Sequence, residues 1–151
     1  MTEEVRRGFL VDEKTSDRMG RIRQRDTKPE LVVRKVLYAL GHRFRCRNRD
    51  LPGSPDIANR KKQWVVFVNG CFWHHHDGCK LATIPKRNRE LWIQKFKRNR
   101  ERDEEVTDAL RASGYRVIVV WQCETGDLEK LAMRLRGQLD ATTHSSGVEL
   151  A

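Results

Sequence analysis

Between Asn69 and Cys79 the chain reads NGCFWHHHDGC, with two cysteines, three consecutive histidines and two large aromatics in eleven positions. Three kinds of chemistry fit those residue types. Thiolates and imidazoles ligate borderline and soft cations, and zinc asks for four such ligands in a tetrahedron. Cys71, His76 and Cys79 offer three, with His74 and His75 as competing nitrogens in the same loop. Cys123 supplies a fourth if the segment before it lies beside residues 64–68. Cys46, alone on the apolar face of a predicted strand, reads as core packing rather than ligation. Histidine also moves protons near neutral pH without a large perturbation, which makes His74 a candidate general base. Phe72 and Trp73 either pack into a core or insert between base pairs as an apolar wedge.

The carboxylates are sparser. Asp56 follows Pro55 in LPGSPDI, just ahead of the apolar run WVVFV. A Pro-Asp before a buried strand suits the PD-(D/E)xK nuclease core, where acids at neighbouring strand ends hold Mg²⁺ against the scissile phosphate. The second acid and the lysine of that pattern are missing, because the run ends Val68-Asn69-Gly70. Glu30 is either a further carboxylate of the site or the partner of Thr27 in a helix capping box.

The elements that must position these groups follow from periodicity. Thr27-Lys28-Pro29-Glu30 predicts a helix start, an apolar stripe through Val33, Val36, Leu37 and Leu40 continues it, and Gly41 stops it. RFRCRNR predicts a strand with Arg43, Arg45, Arg47 and Arg49 on one face, able to track phosphates or simply to face solvent. Short strands are predicted at 56–58, 64–68 and 115–121, with a hairpin joining the first two. Residues 87–113 predict one helix or two, since Asn99 and Asp103 break the apolar stripe or face a polar site. A last helix falls within 126–139. The order implies one α/β domain with a mixed central sheet flanked by helices. It divides into a polar, basic arm over 1–25, a domain over 26–140 and a flexible tail over 141–151.

The charge balance narrows the partner. Among 151 residues, 31 are basic and 21 acidic, a formal net charge of +10, which favours a polyanion and nucleic acid first. Nine basic residues against two acids between Lys80 and Arg102 exceed what a solvated helix face needs, and Lys86, Arg87 and Lys95 are taken from them as DNA contacts. No apolar run approaches the roughly 20 residues that span a bilayer, and the N-terminus is too charged for a signal peptide. A cytoplasmic location is expected, where four cysteines point to metal or reduced thiols before disulfides.

Taken together, RDTKPE, LPGSPDI, VFVNGCFWHHH, LWIQKF with its downstream ERD, and GYRVIVVWQCE resemble the very-short-patch repair (Vsr) mismatch endonucleases over about residues 25–124, in the family's order. The resemblance implies a restriction-endonuclease-like core of PD-(D/E)xK type with a structural zinc site. It also implies Mg²⁺-dependent nicking of duplex DNA beside the thymine of a T·G mismatch left by 5-methylcytosine deamination. Asp56 matches the Mg²⁺-binding aspartate, with the Val68 backbone carbonyl as a second contact. His74 matches the catalytic histidine, and Glu30 a glutamate of the active-site neighbourhood. Cys71, His76, Cys79 and Cys123 match the Zn²⁺ ligands, and Phe72, Trp73 and Trp92 the wedge, with Met19 of the arm reaching the other groove. Asn69 departs from the family, since some members carry Thr-His at Val68-Asn69, so a proton-handling role there reduces to hydrogen bonding. Asp77-Gly78 lengthens the loop by one residue relative to some members, and His75 has no assigned task.

A monomer is implied, nucleoid-associated, linked to a DNA cytosine-5 methyltransferase and open to other mismatch-repair proteins. Two rival readings share these residues: a zinc-containing DNA-binding module without catalysis, and a restriction-type nuclease of other specificity.

Overall fold

The computed structural model describes the backbone of residues 26–149 and the side chains of residues 26–140. Helix α1, Lys28–Ala39, starts as its sequence requires. Thr27 is extended, its Oγ1 accepts from Glu30 N, and Pro29 sits in the first turn, where a missing N–H costs nothing. The helix ends where Gly41 takes φ +87° and its N–H reaches Tyr38 O.

Strands β1 (Ile57–Asn59) and β2 (Trp64–Asn69) form the expected hairpin, with Ile57 opposite Val66 and Asn59 opposite Trp64. Helix α2, Arg89–Ala112, carries the chain across to β3, Arg116–Trp121, which pairs parallel to β2. A 3-10 turn, Gln122–Gly126, leads into helix α3, Leu128–Glu149. The sheet order is therefore β1-β2-β3, antiparallel then parallel, a mixed sheet with flanking helices.

Alternation along β2 sends side chains to two layers. Trp64 and Val66 join Ile118 and Val120 of β3 against Val33, Val36 and Leu37 of α1 and Leu131, Leu135 and Leu139 of α3. Val65, on the opposite face, packs with Ala58 and Leu110, and Phe67, Val106 and Val117 extend that layer under α2. No helix among the described residues is long and apolar enough to cross a membrane.

Two expectations change and one alternative is decided. RFRCRNR is not a strand. Arg45 alone pairs with Ala58, because the buried Asn48 bends the chain by donating to Arg45 O (2.9 Å) and Pro55 O (3.2 Å). The four arginines nonetheless stay exposed, with Phe44 and Cys46 half-buried between them. Residues 89–112 form one helix, and Asn99 and Asp103 break its stripe because they serve a polar cleft. Helix α3 continues past Leu139 to Glu149, through a stretch without proline.

The loop before β1 is held by a close approach. Gly53 has φ +71°, and a Cβ placed there would collide with Val106 Cγ1 on α2. Gly53→Ala should therefore lose about 2 kcal/mol of stability, from a left-handed backbone and a displaced helix together. Denaturant unfolding reads this directly, and a wild-type midpoint for the variant would show that the loop is free to move.

Candidate active site

Parallel pairing places Asn69 beside Trp121, so the loops leaving β2 and β3 start side by side at the carboxyl edge of the sheet. This brings Cys71 and Cys123 together across 52 positions, with Cys123 N donating to Cys71 Sγ at 3.4 Å. Cys123 is placed by the 3-10 turn, where Glu124 Oε1 accepts from Trp121 N (3.1 Å) and Arg134 pairs with the Glu124 carboxylate. The loop 70–79 coils on itself: Gly70 O, Phe72 O and Cys71 O accept from the N–H groups of His74, His75 and His76 in turn.

The ligand atoms of Cys71, His76, Cys79 and Cys123 all lie within 4.8 Å of one another. His76 Nδ1 is 3.7 Å from Cys71 Sγ and 3.5 Å from Cys123 Sγ. The edge of a tetrahedron built on metal–ligand distances of 2.0–2.3 Å is roughly 3.3–3.8 Å, so the donor set fits a tetrahedral cation. The His76 ring is stacked flat on Trp121, centroids 4.1 Å apart. Although Cys123 as a residue is exposed, desolvation of its sulfur among the other ligands, and then the adjoining thiols, push that thiol up to about 12, and burial likewise raises Cys71. Backbone N–H groups at Leu81 and Ala82 help lower Cys79. Thiols packed this closely resist ionising together until a cation compensates them. Cys46 stands outside the cluster.

On the other side of the same loop lies a cleft of about 310 Å³. Glu30, Asp56, Val68, Asn69 and His74 line it, and α2 closes it with Asn99, Arg102 and Asp103. The Asp56 carboxylate accepts from Val68 N at 2.7 Å, which fixes it against the end of β2. Burial raises its pKa to about 6, and the Glu30 charge adds to the rise, against opposing effects of the Val68 N–H, His74 and Arg34. Glu30 lines the cleft and closes only half of the expected box: its N–H donates to Thr27 Oγ1, but its Oε2 accepts from Asp26 N (3.0 Å), one residue before the cap, and from Arg34. Asn69 is buried at the strand end.

His74 Nδ1 is 2.6 Å from Asp103 Oδ2. A carboxylate accepts only, so Nδ1 carries the proton and Nε2 is left as the basic nitrogen. The helix grips the loop at three successive residues. Asn99 Nδ2 donates to Trp73 O (2.8 Å), Asp103 holds His74, and Arg100 donates to His75 O (2.9 Å). His75, at φ +47°, stacks its ring on Phe96 at 4.8 Å, so it supports the loop's fold. Asp103 and Asn99 are the site residues that sequence reasoning left without a role. Their trace was the break they made in the apolar stripe, together with the ERD match.

Phe72, Trp73, Trp92 and Phe96 form one aromatic cluster beside the cleft, with Phe72 centroids 5.2–5.4 Å from the other three. Phe72 and Trp73 are half-exposed, whereas Trp92 is nearly buried at the base. Lys95 Nζ lies over the Trp73 and Trp92 rings at 5.1 and 5.7 Å, and partial burial there lowers its pKa. Lys86 and Arg87 are exposed ahead of α2. Met19 lies outside the described residues.

Residues 9–80 match the family described as DNA mismatch endonuclease Vsr. The chain is 48% identical over 122 residues to the type II nicking enzyme V.XorIIP of Xanthomonas oryzae pv. oryzae, covering 81% of this chain and 89% of that one. It is 43% identical to the type II nicking enzyme V.NmeAIP of Neisseria meningitidis, over 77% of this chain and 82% of that one. It is 39% identical to the DNA mismatch endonuclease Vsr of Escherichia coli K12, over 77% of this chain and 74% of that one.

Proposed function

Because this chain belongs to the Vsr family of DNA mismatch endonucleases, we propose that it nicks duplex DNA beside the thymine of a T·G mismatch in a Mg²⁺-dependent reaction. The observation that carries the reading is one loop, 70–79, that bears both half-exposed aromatics and a carboxylate-oriented histidine over an acidic cleft. Glu30, Asp56 and Asp103 line that cleft; with Asp103 engaged by His74, Glu30 and Asp56 are left to meet a cation, and Asp56 is too buried to ionise easily by itself. Such a pair fits a hard cation.

Asp56 and the Val68 carbonyl would hold Mg²⁺. When bound, that ion supplies Lewis-acid polarisation of the phosphate and stabilises the leaving 3′ oxygen. The chain's own residues do the rest. His74 Nε2 accepts the proton of the attacking water, and Asp103 keeps the ring in the required tautomer and stabilises the imidazolium that forms. Asn69 orients by hydrogen bonding. Phe72 and Trp73 enter the stack at the mismatch with Trp92 behind them, where a weakly stacked pair lowers the cost of a few kcal/mol per opened step. Lys86, Arg87 and Lys95 contact phosphates, and Met19 approaches from the arm.

The cation of the Cys71–His76–Cys79–Cys123 site would be Zn²⁺, with a structural role. The fold in this reading is restriction-endonuclease-like, residues 26–140 are the catalytic domain, and the protein acts as a monomer downstream of a cytosine-5 methyltransferase.

Nicking of a T·G duplex and a T·A control, each with Mg²⁺ or EDTA, tests the reading. A nick confined to the T·G duplex with Mg²⁺ is expected, and its absence from the wild-type protein overturns it. His74→Ala should reduce nicking by about 10²–10⁴ while DNA affinity is retained.

A further inference from the structure

A second cleft, of about 660 Å³, lies at the opposite end of the β1–β2 hairpin. Arg43, Phe44, Arg45, Arg60, Lys61 and Lys62 contribute to its walls. Its basic turn, Arg60 to Lys62, precedes β2, whereas the nicking cleft opens at Val68 and Asn69 where β2 ends; β2 itself spans about 17 Å at the usual rise per residue.

Its floor is built rather than loose. Arg45 and Ala58 exchange both backbone hydrogen bonds, at 2.8 and 2.9 Å. The Asn59 side chain bridges the two segments, donating to Arg43 O (2.9 Å) and accepting from Lys62 N (2.9 Å). The cations above that floor are under-compensated. Asp50, the carboxylate beside it, is already paired with Arg60 and also feels the Arg45 charge. Arg43, Arg45, Lys61 and Lys62 form no ion pair among the described residues. At the rim, burial and then Lys62 lower the pKa of His42, against the opposing charge of Asp140.

We propose that this cleft is a second phosphate-backbone site, in which Arg43, Arg45, Lys61 and Lys62 hold duplex DNA away from the nicking cleft. A long polyanion offers phosphates beyond those at the scissile position, and a second cluster of cations can take them up. Four clustered cations on a rigid floor match a repeating charge better than a single anion. The site is sequence-independent, since backbone contacts carry no base information. It adds affinity and orientation to the nicking reading without entering its chemistry.

The test uses the full chain and a 30-base-pair, fully paired duplex, which has no mismatch, so its outcome is independent of T·G nicking. The variant carries Arg43→Ala, Arg45→Ala, Lys61→Ala and Lys62→Ala. These changes spare the Arg45–Ala58 bridge, which is made by backbone atoms. The slope of log affinity against log salt should flatten by 2 or more, at about 0.9 for each phosphate that is no longer neutralised. Affinity near 0.1 M salt should fall at least tenfold, with kcat on saturating T·G duplex unchanged. Arg43→Lys with Arg45→Lys should keep the wild-type slope, and Lys61→Ala with Lys62→Ala alone should give about half of the flattening. A wild-type slope and affinity in the four-site variant would overturn the proposal. So would a loss confined to kcat, or duplex binding untouched while polyglutamate binding is lost.

Discussion

Asp56→Asn should give a protein that no longer nicks yet is harder to unfold when metal-free. In the native protein burial, with Glu30 nearby, raises the Asp56 pKa from 3.8 to about 6. The sign follows from which state holds the proton. Between about pH 4 and pH 6 the unfolded chain releases it while the folded chain keeps it, so rising pH favours unfolding. Above about pH 6 both states are ionised and the penalty is constant, at most about 3 kcal/mol for a shift of roughly two units. Asparagine keeps the acceptor for Val68 N–H and removes the buried charge. At pH 7.5 in EDTA the variant should gain about 1–2 kcal/mol, or several degrees in Tm for a domain of this size. The advantage should vanish near pH 4. Thermal unfolding of both proteins across that range isolates Asp56, because all other titrations are common to the two. Equal Tm values at pH 7.5 would mean that the carboxylate is not strained by its burial. Mg²⁺ should stabilise the wild type alone, and nicking should fall by roughly 10³ or more.

Loss of the Cys71–His76–Cys79–Cys123 cation should be the most damaging single change. Cys123 gives the cleanest test, because the residue is exposed and its truncation empties no core space. An ordinary exposed substitution stays within about 0.5 kcal/mol. Cys123→Ala should instead cost at least about 3 kcal/mol, since a structural metal's binding energy is folding energy. Nicking should disappear with it, because the loop that the metal closes also carries His74, Phe72 and Trp73. Elemental analysis should find one zinc per wild-type chain and much less in the variant, whereas Cys46→Ala should keep both zinc and Tm. A Cys123→Ala protein with full zinc and unchanged Tm would remove Cys123 from the ligand set. The experiment also tests the order of dependence. If the loop were held by the α2 contacts from Asn99, Arg100 and Asp103 alone, chelation would leave His74 aligned and nicking intact.

Helix α1, the β1–β2 hairpin, β3 and the layered α/β arrangement were legible before any coordinates. Thr27 and Gly41 carry their capping chemistry locally, and the alternation of Trp64, Val65 and Val66 needs no distant partner. RFRCRNR misled for a related reason. Its alternation is real, but a strand also needs a partner edge, and Asn48 turns the chain away after one bridge.

The composition of the candidate site was equally local, since Asp56, His74 and the cysteines announce themselves by residue type. Their relations did not. His74 and Asp103 are 29 residues apart, and nothing in ERD says that its aspartate faces a histidine on another element. Glu30 illustrates the limit of choosing between readings. Capping and cleft-lining were alternatives on the sequence, and the carboxylate lines the cleft while accepting from Asp26 N, one residue short of the cap. Helix caps and strand alternation depend on a residue and its near neighbours, so the chain alone determined them, and residue type alone marked the candidate ligands. The meeting of Cys123 with Cys71, the Asp103 partner of His74 and the raised pKa of Asp56 depend on the parallel β2–β3 register and on burial. Those are properties of distance and dielectric, and they exist only once the chain has folded.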